Sequence, residues 1–474
     1  MTTLNYDSAS LCALATARGQ GHLFNFFDEL SAGQREKFLQ QVATLDFNLI
    51  DQLIAQFVRG PGHAAEGGRL EPAPVISVPA TPEEKAAETR ARAAGEEALR
   101  QGRVGFFLVA GGQGTRLGIQ GPKGAFTIGP VTERTLFDLH AQKILSLRRR
   151  YGALLPWLIM TSDANDAQTR EFFSAHKHLG LGEDTVRIFK QGNMPAVGRD
   201  GRVLMTARDE IALSPNGHGG SLKALHDSGT LEWLRSKGVD TLSYFQVDNV
   251  LVKIGDPVFI GHHVLANAQM STKVCRKRDW KERVGVLARR FGRLCVVEYS
   301  DLPDAIAQET DAQGNLKWWA GSIAIHVLDT GFVEQLNRGG FQLPYHKAEK
   351  AVPCIGLDGN PVALKPGQKN GVKFETFVFD ALPYAARTAN METLRQEDFS
   401  PVKNAEGEDS PQTAQRDLME LYARWLEAAG RKVPRKDDGT LNCRIEISPL
   451  TSLDGSGLEG TAPKRIKAGA DVVL

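Results

Sequence analysis

The 474-residue sequence predicts an α/β protein with a mixed, mostly parallel sheet, an N-terminal helical region and a small C-terminal domain. Three observations carry that reading. From about residue 100, short and wholly apolar runs alternate with amphipathic stretches. Parallel sheets need such runs, because helices cover both faces of their strands. Before residue 60, apolar residues recur at helical steps instead. One apolar run then ends abruptly in a cluster of glycines, the pattern of an α/β strand that delivers a loop to a ligand. The chain is too long for one ordinary core. We read residues 1–98 as helical region and linker, 99–387 as the central domain and 388–474 as the C-terminal domain.

The elements follow in order. Residues from His22 to Phe57 read as helix, with Ser31 and Gln34 at capping-box spacing and an apolar stripe at Phe38, Val42, Leu45, Leu49, Leu53 and Phe57. Residues 60–82 are rich in glycine and proline and read as a connecting segment. Thr81 and Pro82 then open a helix with early glutamates, as the positive helix end favours. VGFFLVA from Val104, LPWLIMTS and LSYFQVDN read as strands, while TLFDLHAQKILSLRRR and the segment opening at DAND read as helices, the latter capped by Asp or Asn. VGVLARRFGRLCVVEYS and AIHVL read as strands of an attached mixed sheet.

Composition narrows the function. With 57 basic against 56 acidic residues, the chain lacks the field that broad binding to nucleic acid or an anionic membrane requires. The five cysteines form no C-x-x-C pair, which fits a reducing, cytoplasmic setting and argues against a zinc site. The first residues lack signal-peptide order, and no apolar run is long enough to span a bilayer.

The strongest signal is LVAGGQGTRLGIQGPKGAF, Leu108 to Phe126. Glycines 111, 112 and 114 let the backbone turn sharply and bring its N–H groups close to a ligand. Arg116 and Lys123 add two positive charges, a combination suited to a nucleoside triphosphate. Gly112, Gly114 and Gly118 give G-x-G-x-x-x-G, one residue too long for a dinucleotide fingerprint and so against a Rossmann oxidoreductase. Lys123 is followed by Gly124, so the Walker pattern fails as well. Asp248 ends the strand in FQVDN, where a carboxylate can hold a hard divalent cation.

GGQGTRLG followed by PKG resembles the eukaryotic-type UDP-sugar pyrophosphorylases, most of all the UDP-N-acetylglucosamine branch. The resemblance continues in order through KQGNMPAV, PNGHGG, QVDNVLVKIGDP, VVEYSDL, KFETFVFD, FSPVKNAEG and CRIEISPL. It implies a Rossmann-like, GT-A-like nucleotidyltransferase that joins UTP to a sugar 1-phosphate and releases a UDP-sugar and pyrophosphate. N-acetylglucosamine 1-phosphate is the first expectation; glucose 1-phosphate and galactose 1-phosphate are the alternatives. A non-catalytic nucleotide-sugar sensor on the same fold is a further one. The implied chain is a monomer or homodimer with no nucleic-acid or membrane partner.

Residue by residue, the resemblance implies that Val109, Ala110, Gly111, Gly112, Gln191, Gly217, Asp248 and Lys373 bind the nucleotide. Gln191 would hydrogen-bond uracil, an amide offering both a donor and an acceptor. Arg116, Lys123 and Lys403 would be catalytic, and Asp248 would hold Mg²⁺ (or Mn²⁺). His218, Gly285, Glu298, Ser322, Phe377 and Phe379 would bind the sugar. Phe377 and Phe379 sit two apart and so are expected on one face of a strand. The sequence departs from the N-acetylglucosamine branch twice: His218 and Ser322 each stand where that branch has asparagine. Both changes fall among the sugar contacts, so the choice of sugar stays open where UTP chemistry does not.

Overall fold

A computed structural model of the protein describes residues 7–62, 68–341 and 343–474. The chain forms two compact units. One comprises Met1–Gly68, Gln191–Ser221 and Leu343–Asp380; the other comprises Arg69–Lys190, Leu222–Gln342 and Ala381–Leu474. The units interleave along the chain, whereas the three stretches read from sequence run consecutively.

The larger unit is built on a ten-stranded sheet. Its parallel half places Val186–Lys190, Trp157–Thr161, Val104–Val109 and Thr241–Gln246 side by side. Trp157–Thr161 is buried at every position and Val104–Val109 at all but the last, as strands covered on both faces must be. Helices Pro82–Arg100, capped by Thr81, and Leu136–Tyr151, capped by Thr135, cover it. The sheet then turns antiparallel through Ala320–Asp329, which pairs directly with Thr241–Gln246. Val286–Arg290 and Arg293–Val297 form a hairpin in this same sheet. The attached second sheet expected from sequence is therefore one continuous sheet, because the strand pattern alone does not reveal which neighbour a strand chooses. Leu70–Pro72, inside the connecting segment, adds an edge strand; residues 63–67 of that segment, like residues 1–6, lie outside those described. The C-terminal helix Pro411–Ala428 buries Leu418, Leu421, Tyr422 and Leu426 in the same apolar core as Leu136, Phe137 and Ile144. No helix among the described residues is long and apolar enough to cross a membrane.

In the smaller unit the stretch His22–Phe57, read as helix, is divided among several elements. Short turns occupy Gly21–Phe24 and Phe27–Glu29, and helices follow at Ala32–Ala43 and Phe47–Leu53. Gln34 reaches back to the Ser31 N–H at 3.1 Å, so the capping box forms. The break comes at Asp46, whose carboxylate caps the next helix through the Leu49 N–H at 3.0 Å. That cap resets the phase: Phe47 and Ile50 become fully buried, while Leu45 and Leu49 stay half-buried. Phe38, Val42, Leu53 and Phe57 pack as predicted, against Met194, Val197 and Phe374. The N-terminal helices thus share a core with the segments that carry Gln191, Gly217 and Lys373.

Candidate active site

In the larger unit the glycine loop leaves the carboxyl end of Val104–Val109, beyond the buried Ala110. Its carbonyls are pinned from behind. Asn165 Nδ2 donates to the oxygens of Ala110 (2.7 Å) and Gly112 (3.1 Å), and Ser162 Oγ donates to that of Gly111 (2.7 Å). Asn165 stands at the cap position of helix Asp166–Ala175, as expected, but its amide serves the loop and makes no cap bond. The Lys123 N–H closes the loop on the Gly112 oxygen at 3.1 Å. Arg116 is exposed on a short turn, with no hydrogen-bond or ion-pair partner among the described residues. Gly124 is a packing glycine: a Cβ there would lie 2.2 Å from the Phe137 ring.

Asp248 lies 3.4 Å from Lys123 Nζ, and Lys123 also donates to the Val402 oxygen at 3.3 Å. Both side chains are mostly buried, at 12% and 17% exposure, so their attraction is screened less than at the surface. The backbone around Asp248 is clamped from two sides. From helix Leu136–Tyr151, His140 Nε2 donates to the Val247 oxygen (3.0 Å) and Lys143 Nζ donates to those of Val250 (2.8 Å) and Val252 (2.9 Å). Burial pushes the His140 imidazole down to about 3, so it stays neutral with its proton on Nε2. From the other side, the Val402 N–H donates to the Asp248 oxygen at 2.9 Å, and Asn249 bonds Asp398 and Ser400. Asp398 is itself anchored by Lys273, whose buried amine sits 2.5 Å from Asp398 and 2.7 Å from Asp256. This zipper delivers the exposed Lys403. Among the described residues no three His, Cys, Asp or Glu side chains gather to hold a metal. A lone, largely buried carboxylate facing a cation fits Mg²⁺, which takes one or two carboxylates plus substrate phosphates.

On the antiparallel half of the sheet, Gly285 accepts from the Ser322 N–H at 2.8 Å. A Cβ on Gly285 would meet Glu298 Oε1 at 2.9 Å and Val296 at 2.7 Å, so only glycine leaves room for that carboxylate. Two residues beyond Ser322, Ala324 takes φ +55° where the register against Met270–Arg276 shifts. A left-handed alanine is strained, and such bulges re-aim neighbouring side chains.

In the smaller unit, Gln191 is buried and its amide has no partner among the described residues. Gly217 has φ +83°, and a Cβ there would sit 2.4 Å from the Thr376 oxygen. Thr376 holds the Gly217 loop by bonds to the Asn216 oxygen and from the Gly219 N–H, each 2.8 Å. Phe377 and Phe379 do not share a strand. The strand Gly371–Glu375, which carries Lys373, has ended and a 3₁₀ turn begins at Val378. They still form one wall: their ring centroids are 5.1 Å apart, with His218 stacked on Phe377 at 5.2 Å and His346 on its ring at 4.6 Å. His218 Nδ1 accepts from the Val378 N–H at 3.1 Å, so in the neutral ring the proton sits on Nε2.

The structure therefore brings Arg116, Lys123, Asp248 and Lys403 onto the larger unit with Gly285, Glu298 and Ser322. Gln191, Gly217, His218, Lys373, Phe377 and Phe379 belong to the smaller one. Sequence reasoning missed Ser162, His140, Lys143 and Thr376, and saw Asn165 only as a cap. Only SDAN, directly after a strand, carried a local signal.

A parallel sheet whose strand ends present a locked glycine loop, several cations and a largely buried carboxylate defines a nucleotide-phosphate-handling α/β protein. The chain belongs to the UTP--glucose-1-phosphate uridylyltransferase family, whose sequence profile matches residues 76–421. It is 36% identical over 464 residues to UDP-N-acetylglucosamine diphosphorylase 2 of Arabidopsis thaliana, covering 93% of this chain and 89% of that protein. It is 37% identical over 477 residues to the human UDP-N-acetylhexosamine pyrophosphorylase-like protein 1, covering 93% and 92%. The crystal structure of the Trypanosoma brucei uridine diphosphate N-acetylglucosamine pyrophosphorylase superposes with a TM-score of 0.82 at 27% identity, covering 99% of each chain.

Proposed function

We propose that the chain transfers the uridylyl group of UTP to a sugar 1-phosphate, with N-acetylglucosamine 1-phosphate as the principal acceptor. Family membership and relatives of that branch over nearly the whole chain support the reaction. The observation that carries the site is the Lys123–Asp248 pair beside the locked glycine loop. An oxygen of the sugar phosphate attacks the α-phosphorus of UTP in line, a new P–O bond forms, and the bond to the β-phosphate oxygen breaks to release pyrophosphate. The attacking group is already an anion, so no general base is required. What remains is repulsion between anions and charge on the leaving group, which Arg116, Lys123 and Lys403 offset. Asp248 would hold Mg²⁺ (or Mn²⁺), which supplies further neutralisation of phosphate charge when bound.

Gln191 and Gly217 would take the uracil, and Glu298 the sugar hydroxyls. A second acceptor, glucose 1-phosphate or galactose 1-phosphate, is favoured by one observation: Ser322 is shorter than the branch's asparagine and lacks its amide. The test is pyrophosphate release from UTP with a panel of sugar 1-phosphates, with Mg²⁺ and with chelator. Turnover of N-acetylglucosamine 1-phosphate above the others supports the reading. Preference for glucose or galactose moves it to the second acceptor, and binding without turnover refutes it.

A further inference from the structure

We infer that Ser162 and Asn165 are positioning residues that aim three consecutive backbone amides of the glycine loop at the triphosphate. The inference rests on the proposed UTP reaction and adds to it how the loop is held. The peptide bonds here are trans, so each N–H points opposite to the preceding carbonyl. The carbonyls of Ala110, Gly111 and Gly112 all face one bracket, made by two side chains from the end of the neighbouring strand. The N–H groups of Gly111, Gly112 and Gln113 must then all face the other way. Among the described residues none of these three donates to the protein. Three successive amides turned to one side make an anion cradle.

The bracket is built to be rigid. Ser162 and Asn165 are each 1% exposed. Asn165 Oδ1 accepts from the Ser162 N–H at 2.9 Å, while the Asn165 N–H donates to the Ser162 oxygen at 3.0 Å. Both amide protons and the amide oxygen of Asn165 are thus engaged. Neither residue needs to touch the substrate. Without the bracket the loop carbonyls are free to turn toward the phosphates, where they repel them.

The test uses the full chain and two variants, Asn165→Ala and Ser162→Ala, checked for folding by circular dichroism. Kinetics are paired with binding of two probes: inorganic tripolyphosphate, which carries the phosphates alone, and uridine, which carries none. Asn165→Ala is expected to lower kcat/KM for UTP by about 10²-fold, the scale of a small misplacement of reacting groups. Tripolyphosphate binding should weaken about as much, with the KM for the sugar 1-phosphate and the uridine affinity within twofold of wild type. Ser162→Ala, which removes the bond to Gly111, should show the same selectivity at smaller size and serves if Asn165→Ala does not fold. Folded variants that bind tripolyphosphate like the wild type overturn the inference, as do equal losses for uridine and tripolyphosphate. A wild type that makes no UDP-sugar refutes the proposed function instead, and the tripolyphosphate comparison still judges the bracket.

Discussion

The glycine loop and the Gly285–Glu298–Ser322 corner stand on one sheet yet are built in opposite ways. In the loop, buried side chains lock the backbone; amides and an exposed arginine are left free, and a lysine is paired to Asp248. In the corner, the backbone yields: Gly285 makes space for the Glu298 carboxylate, and Ala324 bends the strand. On the proposed reading, phosphate handling would draw on locked main-chain amides together with Arg116, Lys123 and Lys403. Sugar recognition would draw on side chains, and there the sequence departs from the branch it resembles.

The sharpest way to break this contrast is to remove charge from the phosphate side. Asp248→Ala and Arg116→Ala should each lower turnover by about 10²–10³-fold in pyrophosphate release, the scale of losing one transition-state charge partner. The ranking of sugar 1-phosphates should not change; wild-type-like turnover in both would sink the assigned roles. Next in size, Gly285→Ala should push the Glu298 carboxylate aside, because the added Cβ would lie 2.9 Å from Oε1. The KM for the sugar 1-phosphate should rise about tenfold, the cost of one charge-assisted hydrogen bond, with the KM for UTP unchanged. A rise in both would show that the two regions are not separable.

A stability measurement tests the clamp beneath Asp248. Burial holds the folded His140 pKa at about 3, below its ordinary 6.5, so the unfolded chain binds the extra proton between those values. Stability from this group is complete above pH 6.5 and is lost as pH falls toward 3. His140→Gln should flatten the acid limb of the melting curve by about 1–2 kcal/mol between pH 7 and pH 5. An unchanged slope in a folded variant would contradict the neutral clamp. The smallest effect is expected at Ser322→Asn, which restores an amide. It should shift the preference for N-acetylglucosamine over glucose 1-phosphate several-fold, about 1 kcal/mol for one net hydrogen bond. A panel unchanged by that substitution would place sugar choice elsewhere, with His218→Asn as the next variant.

The elements of the parallel half were legible because each announces itself locally: an apolar run for a strand and a Thr cap for a helix. The glycine loop was legible because a backbone that approaches a ligand needs glycine at fixed positions. The stretch His22–Phe57 is helical in shorter pieces, a division the sequence hides because an apolar stripe counts residues without showing that one helix ends at Ala43 and Asp46 caps the next. Phe377 and Phe379 were placed on a strand that stops at Glu375, yet still share a wall through a turn.

By itself the sequence determined the strands, the loop, its cations and the carboxylate that ends FQVDN, since these depend on residues near one another in the chain. Only the tertiary structure decided which side chains hold them. Asn165 reaches the loop across 55 residues and His140 reaches Val247 across 107, while Lys273 anchors Asp398 across 125. Such partners leave no periodic trace, because a hydrogen bond depends on distance in space and not on spacing along the chain.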